Sequence, residues 1–354
     1  MLSVIIPVYN TGNSLGKCLD SVLSSSYNDF EVILVNDGST DQSLSICEVY
    51  SQRDSRIRLL SQENQGVSAA RNHGIAVSRG EWLVFVDSDD YISKDFLETV
   101  ARETLSPADL FIFDFIKPGR NENFLSEQGD ASGYFYENGD APQIIEKMLR
   151  HWQLMENGNT DLCSPCAKAY RKSLIEQYSI QFPDNVIVGE DILFNTEYLL
   201  KINSCKYIPR PVYRYMMRSD SATHGFTMGL VKNYCNFEKR LKSLLEASHR
   251  FLTLEKTYYA NALENMAYIL IKEIFSPYNT ASHRERCCLC EEMQKDENFR
   301  CALKYNFKIG ILPRRILLGF FRIRCYCIVS LICRLSLKGI EWMDAKNRKK
   351  DGTN

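Results

Sequence analysis

The sequence predicts an α/β protein, with a mostly parallel, Rossmann-like sheet flanked by helices in its first part and a helical C-terminal region after it. Three observations predict this. Apolar runs rich in Val and Ile recur at 3–9, 30–36, 57–60, 81–86 and 108–115. Stretches with helical apolar spacing separate most of them, and the links are short. Strands alternating with helices over short links imply βαβ units. Strands of a parallel sheet are covered on both faces, which is why they read as near-continuous apolar runs.

Taken in order, SVIIPVY (3–9) is the first expected strand and 14–23 the first helix. FEVILVN (30–36) is followed by a helix over about 41–50, and IRLL (57–60) by GVSAARNHGIAVS (66–78), whose small residues suit a closely packed helix. EWLVFV (81–86) precedes a helix near 95–103, and ADLFIFDF (108–115) is the fifth strand. Residues 117–140, rich in Gly, Asn and charge, read as an irregular excursion or a β-hairpin. Helical patterning returns near 141–151, 171–178 and 190–201, KYIPRPVYRY (206–215) is extended, and 231–276 is one long helical block. The expected organisation is a domain over 1–225, divided into halves 1–115 and 116–225, a helical region over 226–300 and a basic tail over 301–354.

The 354 residues suffice for one large domain or two ordinary ones, and 45% hydrophobic with 25% charged residues is ordinary for a folded protein. The net charge of −1 is unevenly spread. Residues 301–354 carry twelve Lys and Arg against three Asp and Glu, while the first 300 carry 31 against 41. Such asymmetry points the tail toward an anionic surface. The start, MLSVIIPVYN, has no basic n-region and breaks at Pro7, so no secretory signal is expected there. Thirteen scattered cysteines favour reduced thiols in a cytoplasmic setting, and no uncharged run reaches the roughly 18–20 residues of a membrane-spanning helix.

Chemistry collects at the expected carboxyl ends of the strands, where ligands bind in open α/β sheets. PVYN (7–10) follows the first strand, NDGST (36–40) the second and DSDD (87–90) the fourth. Asp87, Asp89 and Asp90 crowd three carboxylates into four positions, and like charges so close need compensation by a cation, a basic side chain or open water. No Gly-x-Gly-x-x-Gly and no Gly-Lys-Ser/Thr loop is suitably placed, which weakens dinucleotide and P-loop readings. Asp-x-Asp offers hard oxygen ligands for Mg²⁺ or Mn²⁺, which also accept phosphate oxygens; solvated loop acids give the same tripeptide. Arg71, in NQGVSAARN (64–72), is a guanidinium suited to a diphosphate or to a ring of acids, or else an ordinary surface charge. Asp37 before Gly38 and Ser39 also fits plain turn chemistry, and Tyr9 a strand-end packing aromatic.

Together VIIPVYN, EVILVNDGSTD, NQGVSAARNHGI and FVDSDD, in that order, resemble the family 2 glycosyltransferases of the GT-A fold. Gly189-Glu190-Asp191 before ILFN is similar to the family's glutamate–aspartate motif, and VYRYMMRSDSAT (212–223) to its Tyr-Arg-rich strand. The resemblance spans about 1–225 and implies a nucleotide-sugar donor, by default a UDP-sugar. It implies that Pro7 and Tyr9 line the nucleobase pocket, Asp37 contacts the base, and Arg71 lies near the nucleotide. Asp87 would face the ribose or a metal-bound water, and Asp89 would ligate a divalent metal, Mn²⁺ or Mg²⁺. Asp90 stays open between that cation and a cap for the following helix. The implied reaction is inverting transfer to a hydroxyl of a glycan or lipid-linked glycan in polysaccharide biosynthesis, with Asp191 as base and Glu190 as the second candidate. Both acids would also suit a helix start in any protein. A nucleotidyltransferase and a catalytically inactive sugar-nucleotide-binding scaffold are the alternatives.

Cys163-x-x-Cys166 lacks a second Cys/His pair at ligand spacing and is expected to bind no metal. His224 is left outside the ligand set. ILPRRILLGFFRIRCYCIVSLICRL (311–335) mixes aliphatic bulk with arginines and no acids. It suits a peripheral position on an anionic membrane, here the inner face of the cell membrane, or packing on the protein's own core. No nucleic-acid partner is expected.

Overall fold

The computed structural model describes residues 1–116, 134–137, 140–150, 161–216, 228–305 and 312–336. The chain separates into two compact units, 1–217 and 218–354.

The first unit is built on a mixed sheet of nine strands among the described residues. These are β1 (Leu2–Val8), β2 (Phe30–Asp37), β3 (Ile57–Gln62), β4 (Trp82–Phe85), β5 (Tyr91–Ile92), β6 (Leu110–Ile116), β7 (Tyr134–Glu137), β8 (Lys168–Arg171) and β9 (Ser204–Arg214). Helices α1 (Leu15–Leu23), α2 (Ser43–Arg53), α3 (Val67–Val77), α4 (Phe96–Glu103), α5 (Ala141–Leu149), α6 (Lys172–Gln177) and α7 (Glu190–Leu199) complete it. The strand order is β3-β2-β1-β4-β8-β6-β9-β5, with β7 added on β9.

The half formed by β3, β2, β1 and β4 is parallel, as the βαβ pattern predicts. Beyond β4 the sheet turns mixed. The four-residue β8 enters antiparallel between β4 and β6, and β9 runs parallel to β6. Sequence periodicity does not reveal β8, because KAYR is too short to show an alternation. Of the 117–140 stretch, Tyr134–Glu137 is a strand paired antiparallel with β9; 117–133 lie outside the described residues.

Every residue of β1 and β2 is buried, as strands covered on both faces require. Pro7 is tolerated there for a geometric reason. The Val86 N–H bonds the Ile5 carbonyl, so odd residues of β1 point toward β4, and the β1–β4 ladder ends at Ile5. The missing N–H of Pro7 therefore falls beyond the last rung. Helix α3 lies close on β1. A Cβ at Gly74 would stand 2.4 Å from the Ile5 Cγ2, so only glycine permits this approach. Arg71 sits one turn earlier on the same helix and is carried inward with it.

The second unit is helical: α8 (Leu230–Ala247), α9 (Phe251–Ile269) running into a π-helical turn (Leu270–Ile274), α10 (His283–Lys295), α11 (Glu297–Lys304), α12 (Leu312–Arg322) and a last helix, α13, over 326–336. The single helical block expected over 231–276 is broken at 248–250, where His249 adopts a left-handed φ of 57°. The chain turns there, and α8 and α9 pack on one another. Glu273 closes the start of α8 by accepting from the Gly229 and Val231 N–H groups, at 2.5 and 2.9 Å.

Candidate active site

Parallel neighbours β1, β2 and β4 release their loops at one rim, and the loops are stitched together. The Thr40 N–H donates to Asn10 Oδ1 at 2.8 Å and the Gly12 N–H to Asp41 Oδ2 at 2.9 Å. Thr11 Oγ1 donates to Ser88 Oγ at 3.0 Å, tying the first loop to the DSDD segment. Tyr9, one residue past β1, is 47% exposed at this edge, while Pro7 is buried.

Asp37 ends β2 and is buried. Its Oδ1 accepts from Gln62 Nε2 (2.8 Å) and the Gln65 N–H (2.9 Å), and its Oδ2 from the Gly66 N–H (2.8 Å). The side chain thus fixes the loop that launches α3. A carboxylate has about four acceptor positions, so three of them serve this loop.

The centre of the site is Arg71. Its side chain is 4% exposed; Nη2 donates to Asp87 Oδ1 at 2.9 Å and Nη1 to Asp191 Oδ1 at 2.7 Å, with Glu190 at 3.9 Å. The guanidinium lies over the Phe182 ring, 5.1 Å from its centroid, and Phe182 stacks on Phe194 at 3.9 Å. Asn72 holds Phe182 in place by bonding both its N–H and its carbonyl, at 2.9 and 2.8 Å. Burial alone would lower the Arg71 pKa, but Asp191 and Asp87 outweigh it and raise it, so the cation is permanent.

Asp191 and Glu190 open α7, whose N-cap Gly189 takes a left-handed φ of 96°. The helix N-terminus favours their charge, yet both carboxyls are pushed upward. For Asp191 the chief cause is burial, opposed by Arg71 and reinforced by Asp87; for Glu190 it is burial, then Asp191, again opposed by Arg71. A quarter of the Asp191 side chain still reaches the surface.

The three acids after β4 divide. Asp87 belongs to the Arg71 cluster, and Asp89 is half-buried at the rim. Asp90 is buried and takes the Tyr213 hydroxyl at 2.8 Å and the Met216 N–H at 2.7 Å. Burial, and then neighbouring Asp87, push its carboxyl up to about 8. Asp90 does not cap the next helix, since Asp95 occupies that position. Tyr213 also accepts from the Asp87 N–H at 3.0 Å, and so links two of the three acids.

Several of these residues carry no clear signal in the sequence. Tyr213 lies inside the Tyr-Arg stretch but is one of several tyrosines there; Asn72 lies inside the NQGVSAARNHGI motif with nothing to mark its role, and Phe182 has no signature. Lys168 is an anomaly legible afterwards, a lysine in a buried strand. It donates to the Asp161 and Ser164 carbonyls at 2.7 and 2.5 Å, and burial lowers its pKa. Asn195 joins it, accepting from the Tyr170 hydroxyl and donating to the Cys163 carbonyl, both at 2.6 Å. These bonds satisfy the backbone of the Cys163-x-x-Cys166 loop, and both thiols are free. His224 lies outside the described residues.

Among the described residues no three His, Cys, Asp or Glu side chains converge as a metal site. A cation shared with a diphosphate needs fewer. Mg²⁺ is commonly held by one or two carboxylates with substrate phosphates and water, and the half-buried Asp89 carries a carboxylate of the kind that could hold a cation in that way.

The family model described as Glycosyl transferase family 2 matches residues 3–179, half of the chain. The glycosyltransferase GlyG of Streptococcus pneumoniae is 31% identical over 231 residues, covering 62% of this chain and 72% of GlyG. GlyA of the same organism is 32% identical over 274 residues, 77% of this chain, and the match spans only 36% of GlyA. The solved structure of Staphylococcus aureus TarS residues 1–349, in complex with UDP-GlcNAc, superposes with a TM-score of 0.63 over 96% of this chain and 92% of that one, at 20% identity. The chain belongs to glycosyl transferase family 2, and its fold is GT-A.

Proposed function

We propose that this chain transfers a sugar from a UDP-sugar to a hydroxyl of a glycan or lipid-linked glycan, with inversion, in polysaccharide synthesis. Family membership supports the reaction class. TarS, solved with UDP-GlcNAc and named a poly(ribitol-phosphate) beta-N-acetylglucosaminyltransferase, supports the UDP-sugar donor and a polymer hydroxyl as acceptor. The observation that carries the site is the Arg71 cluster, in which one buried guanidinium joins Asp87 after β4 to Asp191 at the start of α7.

In this reading Pro7 and Tyr9 border the nucleobase, Asp37 contacts the base through its remaining acceptor position while holding the 62–66 loop, and Asp87 faces the ribose or a metal-bound water. Asp89 would ligate a divalent metal, Mn²⁺ or Mg²⁺, which when bound supplies Lewis-acid stabilisation of the leaving diphosphate. The acceptor hydroxyl attacks the anomeric carbon from the face opposite the nucleotide, and Asp191 takes its proton in flight. Arg71 keeps Asp191 ionised against burial, so the base is charged at neutral pH yet stronger than a solvated aspartate. The enzyme works peripherally at the inner face of the cell membrane, where lipid-linked acceptors present their hydroxyls.

Calorimetric titration with UDP, with and without Mn²⁺, tests the donor site. Metal-dependent binding that disappears in Asp89→Ala is expected; binding indifferent to metal and substitution would remove Asp89 from the mechanism. Asp191→Asn should bind UDP normally and lose about 10²–10⁴-fold in transfer or donor hydrolysis. The acid limb of the wild-type pH profile should lie above the ordinary aspartate value of about 4.

A further inference from the structure

Helices α12 and α13 present two apolar faces, and among the described residues the fold buries only one. Leu317, Leu318 and Phe321 of α12, with Tyr326, Val329 and Cys333 of α13, are buried. Positions 326, 329 and 333 are one helical stripe, i, i+3 and i+7. A second stripe, Ile328, Leu331 and Leu335, points outward, Leu331 and Leu335 being 58% and 62% exposed. Ile316 and Ile323 are exposed as well, the latter 69% just before the left-handed turn at Arg324. Arg315, Arg322 and Arg334 are exposed on the same two helices and Arg324 on the turn between them, and 312–336 contains no acid.

We propose that this outer stripe is the docking surface for a bilayer bearing anionic phospholipid headgroups. The proposal rests on the membrane reading above and deepens it by naming the face that meets the lipid. Charge selects the occupant. Aliphatic side chains flanked by arginines suit an interface where alkyl groups enter the acyl boundary and cations meet phosphate. A second copy of the chain is a poorer occupant, because a two-fold contact of this face would set arginines against arginines, and 312–336 itself offers no carboxylate between them. Among the described residues no helix is long and apolar enough to cross a membrane, so the helices lie on the surface.

The test is sedimentation of the full chain with phosphatidylcholine vesicles, with and without phosphatidylglycerol. Point variants are needed, because deletion of 312–336 would strip Leu317, Phe321 and Val329 from the core of the helical unit. Wild type should bind the anionic vesicles, hardly bind the neutral ones, and release as salt rises. Leu331→Glu with Leu335→Glu should weaken partition by more than about tenfold, and Arg322→Gln and Arg334→Gln by about fivefold each. All should melt as wild type does and bind UDP unchanged. Partition insensitive to these substitutions would overturn the proposal, as would a vesicle-free dimer that the leucine pair variant dissociates. Failure of the donor site would show in the UDP titration and leave vesicle binding untouched.

Discussion

Arg71 is the residue on which the site depends. It compensates three carboxyls from two elements, Asp87, Glu190 and Asp191, and burial drives the last two toward neutrality. Removing one partner of a buried ion cluster leaves the others uncompensated and costs about 3–5 kcal/mol. Arg71→Met should therefore lower the denaturant midpoint markedly at pH 7, and part of the loss should return near pH 5 as Glu190 and Asp191 take up protons. Arg71→Lys should recover the charge but not the forked geometry, which one ammonium cannot reproduce. An unchanged midpoint in Arg71→Met would mean that water, rather than the guanidinium, solvates the acids. The sequence shows Arg71 near the rim, but its partnership with Asp191, 120 positions along the chain, needs β8 and α7 to fold back beside α3.

At the scale of elements, the helical unit carries a titratable group of its own. Glu238 of α8 is fully buried beside Tyr258; its Oε1 accepts from Asn265 of α9 at 2.8 Å, and among the described residues its Oε2 has no geometric hydrogen-bond donor. Burial pushes its pKa from 4.5 up to about 8. The folded state therefore holds a proton that the unfolded state has released between those values, and stability falls as pH rises through that window. Melting temperature of the wild type should drop from pH 6 to pH 8.5, by about 2–4 °C for each kcal/mol lost. Glu238→Gln, which keeps the acceptor and cannot ionise, should flatten that slope; equal slopes in the two proteins would show the carboxyl to be hydrated. Helical periodicity places Glu238 within α8, yet a glutamate is ordinarily read as surface, and only the α8–α9 contact reveals it as buried.

For the whole molecule, the thirteen cysteines divide by environment rather than by pairing, since all are free. Cys288 and Cys327 are exposed, whereas Cys18, Cys47, Cys166, Cys205, Cys290 and Cys333 are buried. Burial also raises the pKa of each of the six, so little reactive thiolate is present. Titration with a thiol reagent should show a fast phase from Cys288 and Cys327, and the six buried thiols should react only on unfolding. Prompt reaction of all thirteen would mean that the units open readily in solution.

What the sequence by itself determined is local and periodic. The Val- and Ile-rich runs specify the strands from β1 to β4, Gly74 the close approach of α3, and the polar residues after β1, β2 and β4 the rim where ligands meet a parallel sheet. The ordered motifs specify the family. Tertiary structure decided everything that depends on distant segments meeting. It inserted β8 between β4 and β6, assigned Asp87 to Arg71 and Asp90 to Tyr213, and closed Asp37 over the 62–66 loop. It also turned one apolar stripe of α13 inward and left the other in solvent. The physical reason is the same throughout. Strand and helix periods are written in neighbouring residues, whereas the burial that shifts a carboxyl and the partner that compensates it come from chain far away.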